Sequence, residues 1–310
     1  LRTPSRSAGR DPNGAVDMTS LAPLPQIILE PIVRSALLED FGRAGDITSD
    51  AIIPADCKAT LALNARQAGV VAGLDLVMFA FLLVDPGISM QLRCPEGGKV
   101  SAGETIAVVS GPARSLLTAE RTALNFLCKL SGIATATASL VNAVRGYNAK
   151  IVCTRKTTPG LRVLEKYAVR AGGGANHRFA LDDAVLIKDN HIAIAGDIRT
   201  AIERARGAIG HMVKIEVEVD TLDQLEMALQ ASVDAVLLDN MSPEDLAQAV
   251  AMVGGRAITE ASGRVTPRTA PAIAATGVDL VSVGWLTHSA PILDIGLDMP
   301  ADRNCRRHLN

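Results

Sequence analysis

Aromatic residues make up only 3% of this 310-residue chain, one Trp, two Tyr and five Phe, so few rings are present on which nucleobases could stack. Net charge is equally scarce. The 31 Lys and Arg oppose 33 Asp and Glu for a formal charge of −2, which argues against a general nucleic-acid binder. The longest apolar run, Leu76–Val84, has nine residues, whereas a helical membrane span needs ~20. The cysteines at 57, 94, 128, 153 and 305 are odd in number and far apart, with no Cys-x-x-Cys pair; they fit neither a disulfide framework nor a zinc site. The polar opening LRTPSRSAGRDPNGAVDMTS lacks the apolar stretch of a signal peptide, and residues 1–17 read as a disordered leader or a cloning scar. Also missing are Gly-x-Gly-x-x-Gly after a first strand, His-Glu-x-x-His and Gly-x-Ser-x-Gly. A fingerprinted dinucleotide fold, a metalloprotease and a serine hydrolase are thereby disfavoured. These absences predict a soluble protein of a reducing compartment, the cytoplasm.

What is present is 48% hydrophobic residues, ample for a packed core. At ~100–200 residues per domain, the length suits two domains or a large barrel with an attachment. Residues 18–135 read as an α+β unit: a helix over 27–41, alternating segments near 57–72, and a turn-rich stretch at 94–111. A helix follows from Ala113 to Leu130, with Leu116, Leu117, Leu124, Leu127 and Leu130 on its buried side. From 136 to 289 the pattern becomes strand then helix. Strand-like runs occur at AKIVCTRK (149–156), AVLIKDN (184–190), VKIEVEVD (213–220), AVLLDN (235–240), RAITEASG (256–263) and DLVSVGW (279–285). Helical stretches such as 221–230 and 242–253 follow, the latter opened by the capping sequence Ser242-Pro243-Glu244. Parallel βα units of this length predict an α/β barrel, possibly incomplete, with residues 290–310 packing back on the first domain.

In VKIEVEVD, alternation puts Lys214, Glu216, Glu218 and Asp220 on one face. Either this is a solvent-exposed edge strand, or it is a central strand whose charges face a functional interior. The polar residues at strand ends are Arg155-Lys156, Lys188, Glu218, Asp239, Glu260 with Ser262-Gly263, and Gly284. Barrel strands converge at their carboxyl ends, so these side chains would share one pocket; a salt-bridged interior is the plainer alternative. Arg155, Lys156, His177 and Arg178 concentrate positive charge beside the Gly172–Gly174 loop, and such a cluster suits a ligand with several negative charges. Arg162, Lys166 and Arg170 repeat at helical spacing and read as a solvated face. Ser262-Gly263-Arg264, and Gly284-Trp285 leading to His288, occupy the turns where barrels commonly hold a phosphate. Glu218 and Asp239 are hard-oxygen candidates for Mg²⁺, directly or through water.

The segments TRKTTPGLR (154–162), GGGANHR (172–178) and LIKDNH (186–191), with EDFGRAGDITSD (39–50), LTAERTALNFLCKLSGIAT (117–135), EVEVD, LLDN, EASG and SVGWLTHS, together resemble the quinolinate phosphoribosyltransferase family. The resemblance implies an N-terminal α+β open sandwich, a C-terminal incomplete, seven-stranded α/β barrel, and a homodimer or hexamer with shared sites. By match to the family motifs, Thr154, Arg155, Lys156, His177, Arg178 and Lys188 would hold quinolinate, with Arg121 reaching in from a neighbouring subunit. Glu218 and Asp239 would face the ribose and Mg²⁺ of phosphoribosyl pyrophosphate. Ser262, Gly263, Arg264, Val283, Gly284 and His288 would take the 5′-phosphate. Lys156, Lys188, Glu218 and Asp239 are the expected catalytic set. Ala180 and Asp182 depart from the family pattern, where Gly and an uncharged residue are common. Two other readings stand beside this one: an aldolase-like lyase with Lys188 as Schiff-base lysine, and a non-catalytic binding relative.

Overall fold

The computed structural model describes residues 21–299; the leader assigned to 1–17, Cys305 and the tail from residue 300 lie outside them. The N-terminal half comprises α1 (Gln26–Phe41), α2 (Ile47–Ile52), β1 (Lys58–Ala65), β2 (Gly69–Val70), α3 (Leu74–Val84), β3 (Ser89–Leu92), β4 (Lys99–Val100), β5 (Thr105–Pro112) and the 31-residue α4 (Ala113–Ala143). Then come β6 (Lys150–Val152), α5 (Arg162–Ala171), β7 (Val185–Ile187), α6 (Asp189–Ala195), α7 (Ile198–Ala208), β8 (Ile215–Val219), α8 (Leu222–Gln230), β9 (Ala235–Asp239), α9 (Pro243–Val253), β10 (Ile258–Ser262), α10 (Ala270–Ala274), β11 (Leu280–Ser282), α11 (Trp285–His288) and β12 (Ile295–Asp298).

Strands β12, β1, β5 and β3 form an antiparallel sheet in that order. The chain's last described strand thus returns to the N-terminal sheet, where Arg66 and Asp298 form an ion pair at 2.6 Å. The second half is a parallel sheet ordered β6-β11-β10-β9-β8-β7. A single parallel bridge between Val152 and Ala175 continues it past β6, so the seventh barrel position is reduced to one bridge. The apolar residues of these strands, such as Val217, Val236, Leu238 and Val281, are buried, as parallel strands covered on both faces require. Helix starts follow the local chemistry: Ser242 Oγ accepts the Asp245 amide at 3.1 Å with Pro243 in the first turn.

Two apolar cores result, one under the N-terminal sheet and one inside the barrel. Helix α5 lies on the seam, since Leu164, Ala168 and Val169 pack into the N-terminal core although α5 follows a barrel strand. Helix α4 runs on to Ala143 instead of stopping near Leu130. Its small polar residues do not break it, because Thr135 and Thr137 donate to helix carbonyls one turn back and Ser131 takes the Ala72 amide. On the expected apolar side, Leu116, Leu124, Leu127 and Leu130 are buried, whereas Leu117 is exposed. Helix α4 is long and apolar enough to cross a membrane by length and composition, yet half of its most apolar window is buried within the fold, the position of a core helix.

At Gly132 the helix touches the backbone of Pro291 and Ile292, and a Cβ there would overlap Pro291 O. Gly132→Ala is therefore expected to destabilise the fold by about 1–3 kcal/mol, the usual cost of overpacking, and to lower the thermal midpoint measured by circular dichroism. An unchanged midpoint would show that the 289–293 segment does not seat on α4.

Candidate active site

At the carboxyl end of the barrel the strand register decides which side chains meet. Glu218 pairs with Leu237 across β8 and β9, and Asp239 with Ser262 across β9 and β10. Strand β8 lies between β7 and β9, so it is not an edge strand. Of its charged face only Glu216 and Glu218 turn to the interior. Lys214, at the strand's amino end, is exposed and pairs with Asp234 at 2.6 Å, and Asp220 lies exposed beyond the strand.

Lys188, just after β7, makes a close ion pair with Glu218. The residue expected on quinolinate and the one expected on the ribose are thus direct partners. A Schiff-base lysine needs its lone pair free; an ammonium held by a carboxylate does not offer one.

His177 is placed differently from the expectation that it holds substrate carboxylates. Its Nδ1 accepts the Arg178 amide at 2.7 Å, and its Nε2 lies 2.9 Å from Glu216 Oε2 and 3.7 Å from Glu260 Oε1. Burial disfavours the charged ring, but the hydrogen bond to Glu216 and the fields of Glu260 and Glu216 outweigh it and raise the His177 pKa above its ordinary value. The Arg178 amide stands against that shift: an imidazole that accepts at Nδ1 is neutral and carries its proton on Nε2. The ring therefore donates to Glu216, with both nitrogens engaged inside the protein. His177, Glu216 and Glu260 are close enough for a metal ion, but an Nε2–H cannot ligate one.

Glu260 is 1% exposed. Burial first, then the neighbouring Glu216 carboxylate, push its pKa up to about 7 against the opposing effect of His177. Arg178 donates to Ala184 O at 2.9 Å, and its own pKa is lowered by burial and then by Arg155, a like charge. Among the described residues, the buried side-chain nitrogens and oxygens without a hydrogen bond are Arg155 Nε, Arg178 Nε, Glu165 Oε1 and Glu260 Oε1. All four belong to this pocket or the segments behind it. A cleft of 680 Å³ opens at the opposite end of the barrel, beside Lys214, Asp234 and Asp279, and contributes none of them.

The two expected phosphate turns are neighbours. Gly263, at φ +112°, leaves no room for a Cβ against Asn240 Oδ1, and Asn240 Nδ2 donates to Asp239 Oδ2 at 2.7 Å. Trp285 Nε1 donates to Val265 O at 2.8 Å, tying the turn after β11 to the turn after β10. A Cβ on Gly284 would lie 2.9 Å from Lys156 Cδ, 3.6 Å from Thr154 Oγ1 and 3.7 Å from His288 Nε2, so those four residues converge. Thr287, buried and absent from the sequence-based set, donates to Lys156 O at 2.7 Å. Val283 is buried beneath this turn, and Arg264 is exposed at φ +34°.

Arg121 stands apart. It is exposed on α4, thirteen residues before Ala134, where the helix meets Gly172; at 1.5 Å per residue that is about 20 Å along the axis.

Family models for the C-terminal and N-terminal domains of quinolinate phosphoribosyl transferase match residues 133–298 and 46–131. The chain belongs to the quinolinate phosphoribosyltransferase family. A Bacillus subtilis protein named probable nicotinate-nucleotide pyrophosphorylase [carboxylating] is 44% identical over 272 residues, 87% of this chain and 93% of that protein. The Mycobacterium leprae nicotinate-nucleotide pyrophosphorylase [carboxylating] is 46% identical over 275 residues, 86% and 95% of the two chains. The crystal structure of NadC from Streptococcus pyogenes superposes with a TM-score of 0.86 at 42% identity, covering 89% of this chain and 98% of the other.

Within this quinolinate phosphoribosyltransferase fold, the stripe Arg162, Lys166, Arg170 is not a solvated face. Only Arg170 is exposed; Arg162 bonds Thr157 Oγ1 and Phe179 O, and Lys166 is 1% exposed. The departure Ala180 sits outside the left-handed region with its amide on Asp183 Oδ1, so the absence of glycine costs no strain there. Asp182 is exposed.

The raised pKa of Glu260 has a definite sign in stability. Between the unfolded carboxylate range near 4.5 and about 7 the folded state binds the extra proton, so this contribution is full below pH ~4.5 and is lost as pH rises through 7. Glu260→Gln removes it, and the drop in thermal midpoint from pH 5 to pH 8 is expected to shrink. An equal drop in both proteins would mean Glu260 ionises normally.

Proposed function

We propose that this chain transfers the phosphoribosyl group of phosphoribosyl pyrophosphate to the ring nitrogen of quinolinate and releases pyrophosphate and CO₂, giving nicotinate mononucleotide in NAD biosynthesis. The observation that carries this reading is the pair of guanidiniums, Arg155 and Arg178, held close enough to repel one another with a buried Nε–H unfilled on each. A planar dicarboxylate supplies both the missing charge and the missing acceptors. Lys156, Lys188 and Thr154 complete its surroundings, and His177 acts from beneath by fixing the Arg178 backbone.

Loss of pyrophosphate leaves positive charge at the anomeric carbon of the ribose, which the Glu218 carboxylate stabilises electrostatically. Asp239, oriented by Asn240, faces the ribose, and the turns at 262–264 and 283–284, with His288 beside them, receive the 5′-phosphate. Glu218 and Asp239 are hard-oxygen donors on adjacent strands, each with one oxygen already engaged by a neighbour. They suit a Mg²⁺ ion carried mainly by water and substrate oxygens, which when bound would neutralise the leaving pyrophosphate. The ribosylated pyridine nitrogen is cationic and accepts the electron pair left when the 2-carboxylate departs as CO₂. No protein nucleophile is required, because orientation and desolvation of two polyanions supply the catalysis.

We further propose a homodimer, alone or within a hexamer, in which Arg121 serves its neighbour's site; its ~20 Å offset from the Gly172 loop supports this. The thiols of Cys57, Cys94, Cys128 and Cys153 are free, in keeping with a reducing cytoplasm.

Purified protein with Mg²⁺, phosphoribosyl pyrophosphate and quinolinate is expected to release CO₂ and form nicotinate mononucleotide, with little product when nicotinate replaces quinolinate. Equal turnover of nicotinate would refute the dicarboxylate assignment. Arg121→Ala and Glu218→Ala proteins, each inactive, are expected to regain activity when mixed. No recovery after verified subunit exchange would remove the shared site.

A further inference from the structure

Lys166 is a charged side chain buried to 1% exposure that faces no substrate surface. From the middle of α5 its Nζ reaches Cys153 Sγ and His177 O, each at 3.0 Å. These two acceptors sit at the roots of the two segments that build the anion pocket: Cys153 precedes Thr154–Lys156, and His177 precedes Arg178. The backbone joins the segments only as far as Ala175, through the Cys153 amide to Ala175 O and the Ala175 amide to Ile151 O, with a thiol contact from Cys153 to Asn176 Oδ1 at 3.3 Å. Beyond that point two side chains of α5 make the connection: Lys166 at the buried roots of the segments, and Arg162 further out, between Thr157 Oγ1 and Phe179 O.

We propose that Lys166 is a positioning residue for quinolinate, clamping the Arg155 and Arg178 segments at a fixed separation and placing a buried positive charge behind the pocket. A lysine buried with a thiol and a carbonyl as its acceptors costs desolvation energy, and an apolar residue of equal length would fill the same space without that cost. The charge also opposes protonation of His177, as the smallest of the influences on that ring. It thereby supports the neutral tautomer whose Nδ1 holds the Arg178 amide. Lys166 thus acts on the substrate through Arg155, His177 and Arg178. Neither contact touches the turns assigned to the phosphoribosyl group directly, and Thr287 holds Lys156 O from that side independently of Lys166, so its influence falls mainly on quinolinate.

This inference rests on the proposed reaction, and the wild-type protein assayed in parallel separates the two: a wild type with no quinolinate-dependent product overturns both. With an active wild type, Lys166→Met is expected to raise the KM for quinolinate at least tenfold, while the KM for phosphoribosyl pyrophosphate stays within about twofold. Lys166→Arg, which restores charge and donors, is expected to recover most of the loss. Generic loosening of the fold would instead lower the active fraction or raise both KM values together. If the Met variant does not fold by circular dichroism, Lys166→Gln, which keeps a donor but no charge, is read against the same limits. An unchanged quinolinate KM in the folded variant, or a parallel rise in both, overturns the clamp.

Discussion

Two guanidiniums close enough to repel one another, each with an unfilled buried donor, are costly, and the architecture around Arg155 and Arg178 keeps them from relaxing apart. Arg178 is tied through its own guanidinium to Ala184 O and through its amide to His177. Arg155 follows a strand whose neighbour β11 leads into α11, where Thr287 donates to Lys156 O. Acids are nearby, but they are committed elsewhere, Glu218 to Lys188 and Glu216 to His177. Asp183 and Glu216 act on Arg178 only through their fields, so direct pairing of the arginines is left to the ligand. Preorganisation of this kind shifts the cost from the binding step to the folding step, where a large apolar core can offset it.

That core is two cores, and the pocket stands where they meet. The barrel supplies strand ends in register, so that Glu218, Asp239 and Ser262 fall at neighbouring positions. The N-terminal half supplies a surface against which α5 packs on the side away from the barrel. Glu165, adjacent to Lys166 and fully buried, shows the consequence. One oxygen accepts the Thr158 amide in the loop after Arg155, and the other faces Lys129 of α4 at 3.0 Å. The loop that presents the pocket's cations is thus anchored on the helix of the other half, the same helix that carries Arg121.

The sequence shows the parallel strands and their polar ends because period-two alternation and βα spacing are local properties. Of the converging set, Lys156 and Gly284 are legible for the same reason, each lying at the end of a strand-like run; His288 follows the turn after the last run, and Thr154 comes from the family resemblance. Lys166 was hidden by the opposite circumstance. Arg162, Lys166 and Arg170 have the spacing of a solvated face, and nothing local reveals that a second domain covers that side of α5. The role of His177 was hidden as well, since its tautomer depends on a backbone amide one residue on and on a carboxylate 39 positions away. The leucine spacing that marks helix α4 runs only to Leu130, whereas the rest of the helix is held by long-range contacts such as Gly132 against the Pro291 backbone.

The division of labour among the carboxylates follows from depth. Glu218 lies nearest the opening, paired with Lys188 and placed to face a developing positive charge. Glu216, deeper, orients an imidazole. Glu260, deepest and beside Glu216, is pushed up to about 7. Three identical functional groups reached from two strands, β8 and β10, thus take three settings, fixed by burial and by which neighbour each one meets. A ligand bringing two carboxylates of its own into this setting must be met by cations that those acids have not neutralised. The buried acid at the bottom, whose charge is disfavoured, and the ion-paired one at the rim leave Arg155 and Arg178, with no direct acidic partner among the described residues, to meet it.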